Sequence, residues 1–156
     1  MMKRIVGVIG AGECDRQIDS LAEEVGERLA RCGLVVLTGG RGGVMAAASR
    51  GARQAGGLTI GILPGHTYNE VNPDVDIPIL TGLGEARNAI VACASEVLVA
   101  IAGEYGTLSE MALALKMGRP VIGLQSWSLP MDVIAVETPQ QAVEKVLDSL
   151  DMHGSG

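Results

Sequence analysis

Residues 96–124, EVLVAIAGEYGTLSEMALALKMGRPVIGL, hold a strand, a loop, a helix and a second strand in succession. EVLVAI is a short apolar run rich in β-branched residues. LSEMALALKM repeats apolar residues at helical spacing, and Gly118 and Pro120 stop it before VIGL resumes as a strand. Two strands joined by a crossover helix lie parallel, so this unit predicts an α/β fold.

The same alternation extends in both directions. KRIVGVIG (3–10) reads as the first strand, and Asp15 or Asp19 leads into a helix through about Cys32, with Gly33 as its stop. LVVLT (34–38) is the second strand; GGRGG (39–43) and a small-residue helix from Val44 to Ala55 follow, then the strand LTIGIL (58–63). PGHTYNEVNPDVD (64–76) is long, polar and aperiodic, a candidate lid or substrate loop. IPILT (77–81) reads as a short strand, GEARNAIVACAS (84–95) as a helix, and a helix from Thr107 ends near Gly118. VIAVE (133–137) and the helix TPQQAVEKVLDSL (138–150) close the fold. The pattern predicts one domain over residues 1–150 with a mostly parallel sheet, and residues 151–156, ending in HGSG, as a disordered tail.

Composition narrows the function. The net charge of −6 supplies no footprint for a nucleic-acid polyanion, and 2% aromatic residues with no Phe leave no row of stacking platforms for single strands. Cys14, Cys32 and Cys93 lack CxxC spacing, and only His66 and His153 add imidazole, so no metal site or disulfide framework is expected. No apolar stretch approaches the ~18 residues of a membrane span, and the expectation is a cytoplasmic protein with no membrane partner.

Three Gly-rich loops leave strands at the edge where open parallel sheets bind ligands: GAGEC with Gly10 and Gly12; GGRGG with Gly39, Gly40, Arg41, Gly42 and Gly43; and GEYGT with Gly103, Glu104, Tyr105, Gly106 and Thr107. GAGECD has Asp15 where a dinucleotide fingerprint needs its third Gly, and Thr38-Gly39 stand where an acidic ribose ligand belongs, so NAD is disfavoured. TGGRGGVM lacks the Lys-Ser/Thr pair of a P-loop. Its glycines still let amides point at an anion from a helix mouth. Arg41 and Arg87 each stand near the positive end of a helix, misplaced by about 0.3–1 kcal/mol unless an anion intervenes; the alternative leaves both as solvated surface arginines. Thr107-Leu108-Ser109-Glu110 has the form of a capping box worth about 1 kcal/mol, and the residue pattern alone favours that role for Glu110 over catalysis.

TGGRGGVMAAASRGARQAGGLTIGILPG, EARNAIV and GEYGTLSEMALALKMGRPVIGL, in that order, resemble the Rossmann-like family often mislabelled lysine decarboxylases. That family includes phosphoribohydrolases releasing cytokinin bases from nucleoside 5′-monophosphates and molybdenum cofactor carriers, with a DNA-processing protein as a more distant relation. The resemblance covers roughly residues 3–125 and implies a doubly wound sheet with helices on both faces. NPDVDIPILTGLGEARN looks nearer to the short uncharacterised and cofactor-carrier branch. Against the hydrolase signature of an Arg-Lys pair and PGGxGTxxE, Arg87, Gly103, Gly106, Thr107 and Glu110 match; Ala102, Glu104 and Asn88 replace its Pro, second Gly and Lys. The decarboxylase label fails, because Lys3, Lys116 and Lys145 are the only lysines and none sits in a strand-end loop.

The resemblance implies a phosphorylated small-molecule ligand, a nucleotide or a molybdopterin-type cofactor, held by the loop amides. As a hydrolase, with no cofactor required, Glu110 would stabilise an oxocarbenium-like transition state or activate water, and Arg87 would hold the phosphate or orient the leaving group. As a carrier, the same loops would hold a phosphorylated pterin without bond breaking, and Tyr68, Asn69 and Asn72 of loop 64–76 could close over it. Family likeness further implies a homodimer or larger homo-oligomer, with the VMAAAS and MALALKM faces free for packing or used in the core.

Overall fold

The computed structural model describes residues 2–127 and 132–154. Its chain order is β1 (Ile5–Gly10), α1 (Arg16–Arg31), β2 (Val35–Thr38), α2 (Val44–Gln54), β3 (Thr59–Leu63), β4 (Ile77–Leu80), α3 (Arg87–Ala94), β5 (Val97–Ile101), α4 (Tyr105–Lys116), β6 (Val121–Leu124), β7 (Val133–Val136) and α5 (Pro139–Gly154). A 3-10 turn over Gly84–Ala86 leads into α3. The expected tail begins inside α5: the helix continues through Gly154, and Ser155 and Gly156 lie outside the described residues.

The strands form one seven-stranded sheet in the order β4-β3-β2-β1-β5-β6-β7, with every described pairing parallel. The chain winds outward from β1 through β2, β3 and β4, then returns to β5 on the other side of β1. Strand order therefore reverses between β1 and β5, where Gly10 pairs with Ile101 at the carboxyl ends. Such a reversal opens a crevice, because the loops on its two sides depart in opposite directions.

Both faces are covered, which is why β5 reads VLVAI with every residue buried. On one face α1, α2 and α5 pack Val25, Leu29, Ala47, Ala48 and Val146 against Val8, Val36 and Val99. On the other, α3 and α4 bring Val91, Ala92, Met111 and Ala114 onto Ile9, Leu37 and Leu98. Asp15 caps α1, its carboxylate accepting from the Ile18 amide at 2.8 Å, and Gly33 follows the helix at φ +77°.

The small-residue face of α2 is used within the chain. A Cβ on Gly51 would lie 1.9 Å from the Glu23 carbonyl oxygen of α1, and one on Gly26 would lie 2.0 Å from that of Ala48. Bare Cα atoms let these helices approach closely, and Arg50 of α2 reaches Glu23 at 2.7 Å and Asp19 at 2.6 Å across the contact. Gly51→Ala is expected to destabilise the fold by about 1–3 kcal/mol, because backbone lies in the way of the added methyl group. Gly65→Ala, where nothing lies within 4 Å of the new Cβ, is expected to stay within about 0.5 kcal/mol of the parent. Urea unfolding of the two variants checks the contrast.

Candidate functional site

All three Gly-rich loops meet at the β1–β5 crevice. Gly10, Ala11, Gly12, Arg41, Met45, Glu85, Arg87, Asn88, Glu104, Gly106, Thr107 and Glu110 enclose a cavity of about 320 Å³. A neighbouring space of about 380 Å³ shares Gly12, Arg41, Met45 and Glu104 and adds Glu13 and Gly42. The two volumes are lobes of one crevice, with Glu104 and Arg41 at their junction.

Close contact between loops needs glycine at particular places. A Cβ on Gly39 would lie 2.3 Å from Nη1 of Arg87, so the guanidinium rests against a bare Cα at the end of β2. Gly43 turns into α2 at φ +60°, where a Cβ would meet the Ala11 carbonyl oxygen at 2.2 Å. The following amide, of Val44, donates to that same oxygen at 3.0 Å. Among the described residues no protein acceptor meets the amides of Arg41, Gly42 and Gly43, and α2 has no side-chain cap.

Arg87 is the first residue of α3 and is only 7% exposed. Its Nε has no hydrogen-bond partner among the described residues. Burial pushes the guanidinium below its usual range; Glu110 and Glu85 oppose that shift, while nearby Arg41 adds to it. The two arginines are thus neighbours in one cavity. Arg41 is half-exposed and pairs with Glu70 at 3.2 Å on the outer rim. A buried, unsatisfied guanidinium facing open space and repelled by a second one is an arrangement that an anion relieves.

Glu110 is 7% exposed and its side chain makes no hydrogen bond among the described residues, which corrects the capping-box expectation. α4 begins at Tyr105 with Glu104 as its N-cap, so Thr107 lies within the first turn and Glu110 faces the cavity. The shift follows from the preceding backbone. Ala102 adopts φ +50° and Gly103 φ +111°, which turns the chain abruptly after β5. A proline, the hydrolase-signature residue at this position, cannot take φ +50°. The strained turn is held from β6 and its loop: the Ala102 amide donates to the Leu124 carbonyl at 3.1 Å, and Ser126 Oγ to the Ala102 carbonyl at 2.6 Å.

Burial pushes the Glu110 carboxyl up to about 7, with Arg87 pulling the other way and Glu85 reinforcing the rise. Asn88, 6% exposed, lines the same wall, and its side chain is likewise without a hydrogen bond among the described residues. The amides of Tyr105, Gly106 and Thr107 belong to the first turn of α4, where no intrahelical acceptor exists. Glu104 makes no side-chain cap bond and lines both lobes.

Loop 64–76 carries a second correction. Asn72 is buried and braces GGRGG: its Nδ2 donates to the Arg41 carbonyl at 2.9 Å and its amide to the Gly40 carbonyl at 2.9 Å. It is not available to close over a ligand, whereas Tyr68 and Asn69 remain exposed. Sequence reasoning missed Met45, Glu85 and Trp127. Trp127 follows β6, and its Nε1 donates to the Glu104 carbonyl at 3.1 Å; its signal was a lone aromatic just past a strand end on the ligand edge. Among the described residues no group of three or more His, Cys, Asp or Glu is placed to hold a metal ion, and no helix is long and apolar enough to cross a membrane.

A family model described as the SLOG cluster4 family matches residues 3–152. The molybdenum cofactor binding protein from Rippkaea orientalis superposes with a TM-score of 0.90 at 42% identity, covering 95% of this chain and 98% of its own. The molybdenum cofactor carrier protein from Chlamydomonas reinhardtii gives 0.90 at 40% identity, covering 96% and 99%. The cytokinin riboside 5′-monophosphate phosphoribohydrolase of Mycobacterium tuberculosis is 32% identical over 116 residues, 69% of this chain and 62% of its own length.

The position of Glu110 has a pH signature. Its carboxyl ionises near 4.5 in the unfolded chain and near 7 when folded, so between those values the folded state holds the extra proton. Stability from this group is therefore full below about pH 4.5, declines as pH rises, and levels off above about pH 7, a difference on the order of 3 kcal/mol. Glu110→Gln is expected to match the parent near pH 5 and to melt roughly 5–10 °C above it at pH 8. Thermal unfolding of both proteins across that range checks it.

Proposed function

Since the chain belongs to the SLOG cluster4 family, we propose that it binds a phosphorylated small molecule in the β1–β5 crevice and acts as a non-catalytic carrier of a phosphorylated pterin of the molybdenum cofactor type. The observation that carries this reading is Arg87, buried at 7% exposure on the wall of the cavity with no side-chain hydrogen bond among the described residues. A guanidinium so placed calls for an acceptor from outside the protein.

The residues present suit such a cargo. Arg87, Arg41 and the amides of residues 41–43 and 105–107 converge on a site for a phosphoryl group, combining guanidinium donors with two helix mouths. The adjoining lobe leaves room for the part of the cargo beyond its phosphate. Full-length likeness to two molybdenum cofactor proteins supports the carrier reading over the hydrolase one, whose relative aligns over only part of each chain. Side chains agree: Asn88 supplies no positive charge beside Arg87, and Glu104 adds negative charge at the helix mouth.

One observation favours phosphoribohydrolysis as a second reading. A buried carboxyl titrating near 7 is poised for proton transfer at neutral pH, and Glu110 meets that requirement opposite Arg87. The same value leaves much of it protonated and unable to stabilise an oxocarbenium ion. Self-association belongs to the proposal as well, with Ala112 and Leu113 of α4 and its C-cap Met117, 44% exposed, offering a surface for packing.

Native mass spectrometry of freshly purified protein is expected to show a retained phosphorylated pterin, and Arg87→Ala to lose it, with affinity falling about 10- to 150-fold. Nucleoside 5′-monophosphates incubated with the parent are expected to release no free base. Base release that disappears in Glu110→Gln would overturn the carrier reading in favour of the hydrolase.

A further inference from the structure

Three aromatic residues occur in the chain, Tyr68, Tyr105 and Trp127, and two of them are stacked on each other. The rings of Tyr105 and Trp127 lie with centroids 6.0 Å apart and planes 24° from parallel. Tyr105 is 80% exposed, so the pair contributes little to the core. Nor is it a loose surface contact. The indole N–H of Trp127 is fixed on the carbonyl of Glu104, and the neighbouring Ser126 hydroxyl is fixed on that of Ala102, so two residues of one loop hold the pair against the mouth of α4.

Neither ring lines a lobe of the crevice, and Trp127 borders a separate cavity of about 200 Å³ with Val133 and Val136. Glu104 is the link: it adjoins Tyr105 in the chain, accepts from Trp127 through its carbonyl and lines both lobes, and its side chain makes no hydrogen bond among the described residues. A carboxylate only accepts, so the ring it recognises must present N–H groups along one edge. We infer that the Tyr105–Trp127 pair is a stacking platform for a planar ring, and that Glu104 selects rings of the 2-amino-4-oxopyrimidine type, the shared edge of guanine and pterin. Such a ring offers an adjacent ring N–H and amino group to the carboxylate. An adenine edge offers a ring nitrogen lone pair there and is repelled. The inference rests on the carrier reading and adds to it the part that recognises the ring rather than the phosphate.

Trp127 is the only tryptophan, so its emission reports on this platform alone. GMP, which joins the required ring edge to a phosphate, is the probe, with AMP and inorganic phosphate as comparisons. GMP is expected to quench the emission saturably, phosphate to protect the fold without quenching, and AMP to bind about 10-fold more weakly or worse. Calorimetric titration of Tyr105→Ala is expected to show GMP affinity reduced about 5- to 150-fold, with phosphate protection reduced far less. Glu104→Gln is expected to bring GMP and AMP within about 3-fold of each other, because an amide both donates and accepts. Arg87-dependent GMP binding with unchanged emission, unaltered affinity in Tyr105→Ala, or an undiminished preference in Glu104→Gln would each overturn the platform while leaving the carrier reading intact. Failure of both GMP and phosphate to bind would remove both.

Discussion

The guanidinium of Arg87, buried at the start of α3 with its Nε unanswered, is the constraint around which the crevice is arranged. A charge taken out of water without a hydrogen-bonding partner is costly, and Glu110 is close enough to be felt but does not form an ion pair with it. Arg41 worsens the imbalance and the first turns of α2 and α4 add further positive potential. Taken without an anion, these features oppose folding. With one, each becomes a binding contact.

Topology makes this convergence possible. Reversal of strand order between β1 and β5 brings loops from β1, β2 and β5 to one place, and glycines at 39 and 43 let a guanidinium and a carbonyl approach where side chains would block them. Asn72 and Ser126 then act at a distance from the cavity, one holding GGRGG and the other holding the strained turn at Ala102. Bracing of this kind leaves little ordering cost to be met when a ligand binds, which fits the proposed carrier role.

Much of the framework was legible because its signals are local. Apolar runs of four to six residues broken by Gly-rich loops announced the parallel sheet, Asp15 and Gly33 bounded α1, and Arg41 and Arg87 stood out as cations at the wrong ends of helices. Glu110 was misread because TxxE satisfies the capping pattern in isolation. The left-handed turn at Ala102 and Gly103 moves the helix start to Tyr105, and that shift depends on hydrogen bonds between Ala102 and both Leu124 and Ser126, which no local pattern encodes. The bracing role of Asn72 and the place of Trp127 were hidden for the same reason: their partners lie 31 and 23 residues away in sequence.

The stability of Arg87→Met, measured beside the parent with and without inorganic phosphate, tests the claim that this guanidinium awaits an anion. Methionine fills similar space without the charge, so the ligand-free variant is expected to be at least as stable as the parent. Millimolar phosphate is then expected to raise the melting temperature of the parent and leave the variant where it was. Equal gains in the two proteins, or a variant that unfolds far more readily in the absence of phosphate, would contradict the account.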